Sequence, residues 1–167
     1  LGVMLRNRRA GHDTLAWNRP ETQAPENFEL SSPAFAHGEP IPARYRGRLF
    51  GANLSPALAW TAPPVETAEL LLVVQDPDAP GRTAATHALT AGIDPALLAL
   101  PEGGLAHPSA VPGVRHGRGP LGRRGWAGPM PIPSHGPHSY VFQLYALSAP
   151  LPLREGFTLA DALSSAS

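Results

Sequence analysis

The sequence contains no cysteine and no lysine. The first absence excludes a disulfide framework, thiolate catalysis and cysteine-ligated zinc. The second excludes Schiff-base chemistry, a lysine general base and the phosphate-gripping lysine of a P-loop. A charge excess of either sign is also missing: 13 arginines balance 13 acidic residues, so the electrostatic footprint of a nucleic-acid-binding or anionic-membrane protein is lacking. No apolar run approaches the ~20 residues that cross a bilayer. The first, Leu1 to Leu5, is too short for a signal-peptide core and precedes its charges. Neither a G-x-S-x-G elbow nor an H-E-x-x-H helix occurs. Together these absences predict a cytoplasmic protein with no nucleic-acid partner and no stable membrane insertion. The chain opens with leucine rather than methionine, which leaves room for an upstream segment.

What the chain has in quantity is 21 prolines and 17 glycines among 167 residues. That is too many for long helices and suits short strands joined by ordered turns. One domain of this length hides roughly 70% of its unfolded surface and needs no staples. Residues 1 to 27 carry Arg6, Arg8, Arg9 and Arg19 with little periodicity and read as an N-terminal arm over the domain or a tail. The domain proper is expected over residues 28 to 167. Within it, Phe28 to Leu30 begins an apolar/polar alternation and Ala57 to Trp60 is a short strand candidate. Glu69 to Gln75 contains the continuous run Leu70 to Val74, as in a strand covered on both faces. A second strand is expected from about His87 to Ile93, followed by an Asp94-Pro95 helical turn reaching Leu100. Ser139 to Leu147 alternates with Tyr140, Phe142, Leu144 and Ala146 on one face, which His138 shares. Thr158 and Asp161 have capping-box spacing for a final helical stub.

Three polar motifs stand at strand ends: DPDAP (Asp76 to Pro80), Thr86-His87, and GPMPIPSHGPHSY (Gly128 to Tyr140). An imidazolium, a phenol and free backbone N–H groups can all donate to a phosphate oxygen, so no metal or cofactor is called for. A carboxylate beside an anion repels it unless it holds a histidine protonated or accepts an ammonium group. Alone, DPDAP is more often a mere turn, and Asp78 suits that role. Trp126 can shield a pocket or simply pack. His12, His37, His107, His116 and His135 lack motif context and are read as surface-loop residues. Arg123 and Arg124 read equally as anion-steering or as solvated loop.

These motifs, with SPAF (Ser32 to Phe35), NLSPALAW (Asn53 to Trp60) and LPEGGL (Leu100 to Leu105), resemble in order and spacing the signature regions of the phosphatidylethanolamine-binding protein family. The bacterial Raf-kinase-inhibitor-like branch is the nearest match. The resemblance implies an all-β, sandwich-like fold with a large central antiparallel sheet, a smaller sheet and short peripheral helices. It also implies a pocket lined by Asp76, His87, His138 and Tyr140, with Pro129 and Pro131 on its rim and Asp78 and Trp126 as further candidates. The implied ligands are small anions, phosphorylated molecules or a phosphoethanolamine head group.

The chain departs from the family pattern at Ala88, where an aromatic is common, and at Ser139, where arginine is common. Family members commonly end in a helix near the pocket mouth, so a chain stopping at Ser167 reads as having that helix truncated. The resulting expectation is a non-enzymatic binding or inhibitor-like protein, regulating a protein partner by masking it. The alternatives are a phosphoester hydrolase using Asp76, His87 and His138 as acid, base or metal ligands, and a protease or kinase inhibitor acting through the loops between Pro101 and Pro137.

Overall fold

A computed structural model describes residues 8–130 and 132–166. Among the described residues, seven strands form two antiparallel sheets. The small sheet takes the order β1-β2-β5 from Leu30–Ser31 (β1), Leu58–Trp60 (β2) and Ala99–Leu100 (β5). The large one takes the order β6-β4-β3-β7 from Glu69–Asp76 (β3), Ala85–Ile93 (β4), Arg115–His116 (β6) and Val141–Leu147 (β7). The expected sandwich with unequal sheets is therefore present. So are the strand over the Leu70 to Val74 run and the alternation of the last strand.

β3 explains its own sequence. Leu70, Leu72 and Val74 pack into a core between the sheets with Leu58, Trp60, Ala88, Ile93 and Leu100. Leu71 and Val73 face the other way, joining Leu89, Ala91, Ala16, Leu151, Phe157 and Ala162. A strand buried on both faces has no polar face to alternate with, so its sequence is continuously apolar. Phe142, Leu144 and Ala146 of β7 lie against the first core, while Tyr145 and Leu147 lie against the second.

The second core is roofed by two peripheral pieces. One is residues 10 to 23, in three short 3-10 turns, whose backbone bonds Ala10 N–H to Ala79 O (2.9 Å) and Gly11 N–H to Pro77 O (2.8 Å). The other is helix α1, Leu159–Ala166, opened by the expected capping box: Thr158 N–H donates to Asp161 Oδ2 at 2.9 Å and Asp161 N–H to Thr158 Oγ1 at 3.1 Å. These bonds hold the Asp161 carboxyl below its usual range.

The stretch after Asp94 differs from expectation. Asp94 makes one turn, accepting from Ala96 N–H (2.9 Å) and Leu97 N–H (3.0 Å), and the chain then straightens into β5. Trp60 wins the competition, its backbone N–H taking the Leu98 carbonyl and its indole N–H taking Leu97, both at 2.9 Å. With Leu100 paired to Leu58 and Ala99 to Ala59, the chain is held extended beside β2 and cannot continue the turn.

Candidate anion-binding site

The site lies where β3 ends, β4 begins and β7 begins. Asp76 is the last residue of β3 and is buried. Its Oδ1 accepts from Asp78 N–H at 2.8 Å, the Asx turn expected of DPDAP, and its Oδ2 lies 2.6 Å from His138 Nδ1. Asp78 does more than turn the chain, since its Oδ2 accepts from Ser139 N–H at 2.7 Å. DPDAP thus fixes both the His138 ring and the backbone beside it.

His87 is delivered by an irregularity. Along the β3–β4 ladder Val74 faces Ala88 and Gln75 faces Thr86, so His87 is the extra residue of a bulge. A bulged residue turns out of the ladder's register. His87 O accepts from Ala127 N–H at 2.8 Å and its Nδ1 donates to Ala127 O at 2.6 Å. With Nδ1 so committed, Nε2 of the neutral ring carries only a lone pair. Burial lowers the His87 pKa, outweighing the Ala127 bond and the Asp76 charge that raise it, and so keeps the ring neutral. Tyr140 stands edge-on to His87 with ring centroids 5.2 Å apart. Burial, then the Asp76 and Asp78 carboxylates, pushes its phenol well above the ordinary range, so it remains a proton donor.

Pro129, His138, Ser139, Tyr140 and Arg46 line a groove of about 810 Å³, walled opposite by the segment from Leu30 to Ile41. Asp76 and His87 do not line it: Asp76 reaches it through His138, and His87 stands against Tyr140. Trp126 packs in the inter-sheet core, its indole donating to Tyr45 O at 3.0 Å. Beside it, Asn53 grips the loop, accepting from Gly128 N–H at 2.7 Å and donating to Trp126 O at 3.1 Å. Pro131 lies outside the described residues. Arg124 pairs with Glu155 at 3.9 Å, on β6's side of the sheet rather than at the groove.

Sequence reasoning missed two site residues. His135 is not a surface-loop residue: it is buried, its Nδ1 2.5 Å from His138 Nε2 and its Nε2 3.1 Å from Arg8 O. Arg9, read only as part of a basic arm, pairs with Asp78 at 3.2 Å and donates to His135 O (2.9 Å) and Pro137 O (3.3 Å). The usable signal was the H-x-x-H spacing within the proline loop, where Ser134 (φ 64°) and Gly136 (φ 96°) fold the chain back. His116 is likewise buried, in β6, its Nδ1 2.9 Å from Thr90 Oγ1. Among the described residues no group of three or more potential ligands is placed to hold a metal ion.

An antiparallel sandwich with a buried carboxylate–imidazole pair under a proline-rich loop at its strand ends defines the class. A profile of the family described as "Phosphatidylethanolamine-binding protein" matches residues 31–167, and the chain belongs to that family. A UPF0098 protein of Mycobacterium tuberculosis is 38% identical over 144 residues, covering 83% of this chain and 63% of that protein. A second protein of that organism, named as a candidate lipoprotein, LppC, is 38% identical over 140 residues, 81% of this chain and 63% of its own length. This chain therefore spans 63% of these curated relatives. The crystal structure of Escherichia coli YbcL, described as a member of the mammalian PEBP family, superposes with TM-score 0.78 at 26% identity, covering 83% of this chain and 88% of that one. Among the described residues no helix is long and apolar enough to cross a membrane.

Proposed function

We propose that this chain is a non-enzymatic binding protein for small oxyanions or phosphorylated head groups, held at the groove edge by His138 and Tyr140 and backed by Asp76 and His87. The observation that carries this reading is the 2.6 Å contact between Asp76 and His138. Asp76 fixes the ring by its Nδ1, and an imidazole so oriented is placed to donate to an oxyanion through its other nitrogen, with the carboxylate offsetting the charge. Neutral His87, edge-on to Tyr140, holds in place the ring whose phenol faces the ligand. Regulation of a partner protein, by masking a phosphorylated group, follows from such binding.

Titration with phosphate, phosphoethanolamine and phosphotyrosine, followed by NMR, tests the reading. The expected result is saturable shifts confined to His138, Tyr140, His87 and the 128–140 loop; shifts elsewhere, or none, defeat it. The hydrolase alternative has one feature in its favour, since a carboxylate-oriented histidine is also a general base. Tyr140, its phenol held protonated by burial, is a poor nucleophile beside it. Turnover of phosphoesters that vanishes in His138→Ala would establish the hydrolase instead. Action in the cytoplasm predicts recovery in the cytoplasmic fraction, whereas membrane recovery would align the chain with its lipoprotein-named relative.

A further inference from the structure

The described ring nitrogens around the groove leave no N–H available to an incoming anion. His138 Nδ1 is 2.6 Å from Asp76 Oδ2, His138 Nε2 is 2.5 Å from His135 Nδ1, and His135 Nε2 is 3.1 Å from Arg8 O. His87 spends its one N–H on Ala127 O. A carbonyl only accepts, so His135 Nε2 carries a proton. The nitrogen–nitrogen contact holds one proton, and the contact with Asp76 another. The chain from Asp76 to Arg8 is thus filled by three protons, which make the carboxylate and two imidazoles neutral as a unit. A fourth proton would set N–H against N–H across the shortest of the three contacts.

We propose that His135 is a built-in occupant of the anion position on His138, which a ligand must displace and which acid expels. This rests on the oxyanion reading of the groove and adds its regulation. His135 sits where an oxyanion would have to stand, on the only His138 nitrogen not committed to Asp76. The backbone around it suits a moving segment. Ser134 and Gly136 have φ of 64° and 96°, and the ring and carbonyl of His135 meet the arm through Arg8 O and Arg9, the latter's pairing partner Asp78 being one-fifth exposed, at 21%. Among the described residues, the charged and titratable groups around the pair are Asp76 and Asp78 at the end of β3, His87 on β4, Tyr140 ahead of β7, Arg46 on the groove wall and Arg9 on the arm. Asp76 and Asp78 offset the second positive charge, but neither can remove the proton-on-proton clash. Losing His135 and gaining a free His138 Nε2–H are therefore one event, driven by a single protonation.

The test uses sulfate, whose charge is constant across the imidazole range, and compares wild type with His135→Ala and His135→Gln by calorimetry at about pH 7.5 and about pH 5.5. Wild type is expected to bind weakly at the higher pH. His135→Ala should bind about tenfold tighter there, the equivalent of one ordinary hydrogen bond, and the two should converge at the lower pH. Glutamine can still donate to His138 Nε2 but cannot take up a proton, so His135→Gln should stay weak at both pH values. It also keeps the loop filled should alanine loosen it. A coupling between His138 Nε2 and His135 Nδ1 across the shared proton, visible by ¹⁵N NMR in the unliganded protein, is expected at the higher pH and lost at the lower. Equal sulfate affinity of wild type and His135→Ala at about pH 7.5, or absence of the coupling, overturns the proposal and leaves the oxyanion reading standing. No sulfate binding by any variant at either pH overturns both.

Discussion

His138 and Asp76 are 62 positions apart in the chain, yet Nδ1 and Oδ2 meet at 2.6 Å with the side chains only 9% and 5% exposed. Nothing local holds them together; the pairing of β3 with β7 does, since Gln75 faces Val141 and the ladder's end sets both side chains at one edge. A hydrogen bond involving a charged group is worth about 1.5–3 kcal/mol, and removing one member of a buried pair costs more than the pair contributes. Asp76→Asn keeps an acceptor but no charge. It should lower unfolding free energy by about 2 kcal/mol, read from urea midpoints at unchanged slope. A loss under about 0.5 kcal/mol, the usual range for surface changes, would mean that the contact is not sustained in solution.

The legible parts of this protein were those whose cause is local. The Leu70 to Val74 run, the alternation from Tyr140 to Ala146 and the capping box at Thr158 each declare their structure within a few residues. Asp76, His87, His138 and Tyr140 were named from motif resemblance, and the fold brings them together. The bulge that turns His87 aside was not visible, because a bulge is a mismatch of register between two strands and neither strand alone records it. His135 was misread because a histidine between Ser134 and Gly136 looks solvated until an arm some 126 residues distant covers it. The Asp94 turn was overread as helix because Ala99 and Leu100 are drawn out into pairing with Ala59 and Leu58, residues of a strand some 40 positions earlier.

The arm is anchored through two buried glutamines. Gln75 Oε1 accepts from Ala16 N–H at 2.8 Å and from Gln143 Nε2 at 3.1 Å, while Gln143 Oε1 accepts from Trp17 N–H at 2.8 Å and the Tyr145 hydroxyl at 2.7 Å. Gln75→Leu is near in volume but strands the Ala16 N–H in an apolar layer, which costs about 1–3 kcal/mol. Hydrogen exchange should accelerate over residues 14 to 23 well beyond its change in β3. Uniform acceleration throughout would show that the arm is not a separately opening unit.

Gly128 begins the loop that carries His135 and His138. A Cβ there would stand 2.6 Å from both the Arg46 carbonyl carbon and Gly47 N, and closer still to Tyr45 O. All three are backbone atoms in a stretch tied by Gly47 N–H to Pro129 O at 2.9 Å, so nothing can swing aside. Gly128→Ala is expected to cost about 1–3 kcal/mol, as overpacking does, and to shift the His138 and Tyr140 resonances. A variant that is destabilised without moving those resonances would show that the loop's path is set elsewhere.

Acid should weaken the fold at pH values where the carboxylates are still ionised. Burial lowers the pKa of both His87 and His116 below the ordinary imidazole value. The unfolded chain, whose histidines titrate near ~6.5, therefore binds more protons than the folded one over the interval just below that value. Unfolding then takes up protons, so stability is fully present above about pH 6.5 and declines as pH falls through the interval between the unfolded and folded values. The part of the thermal midpoint set by these two rings should be flat from about pH 8 to 7 and fall from about pH 6.5 to 5, above the ~4 at which carboxylates begin to contribute. The two histidines separate by substitution: His116→Gln preserves a polar partner for Thr90 Oγ1, which lies 2.9 Å from His116 Nδ1, yet cannot be protonated. That variant should show a shallower acid decline with little change near neutrality, because only the unfolded-state proton uptake has been removed. An acid slope identical to wild type would place the whole effect on His87 and the groove.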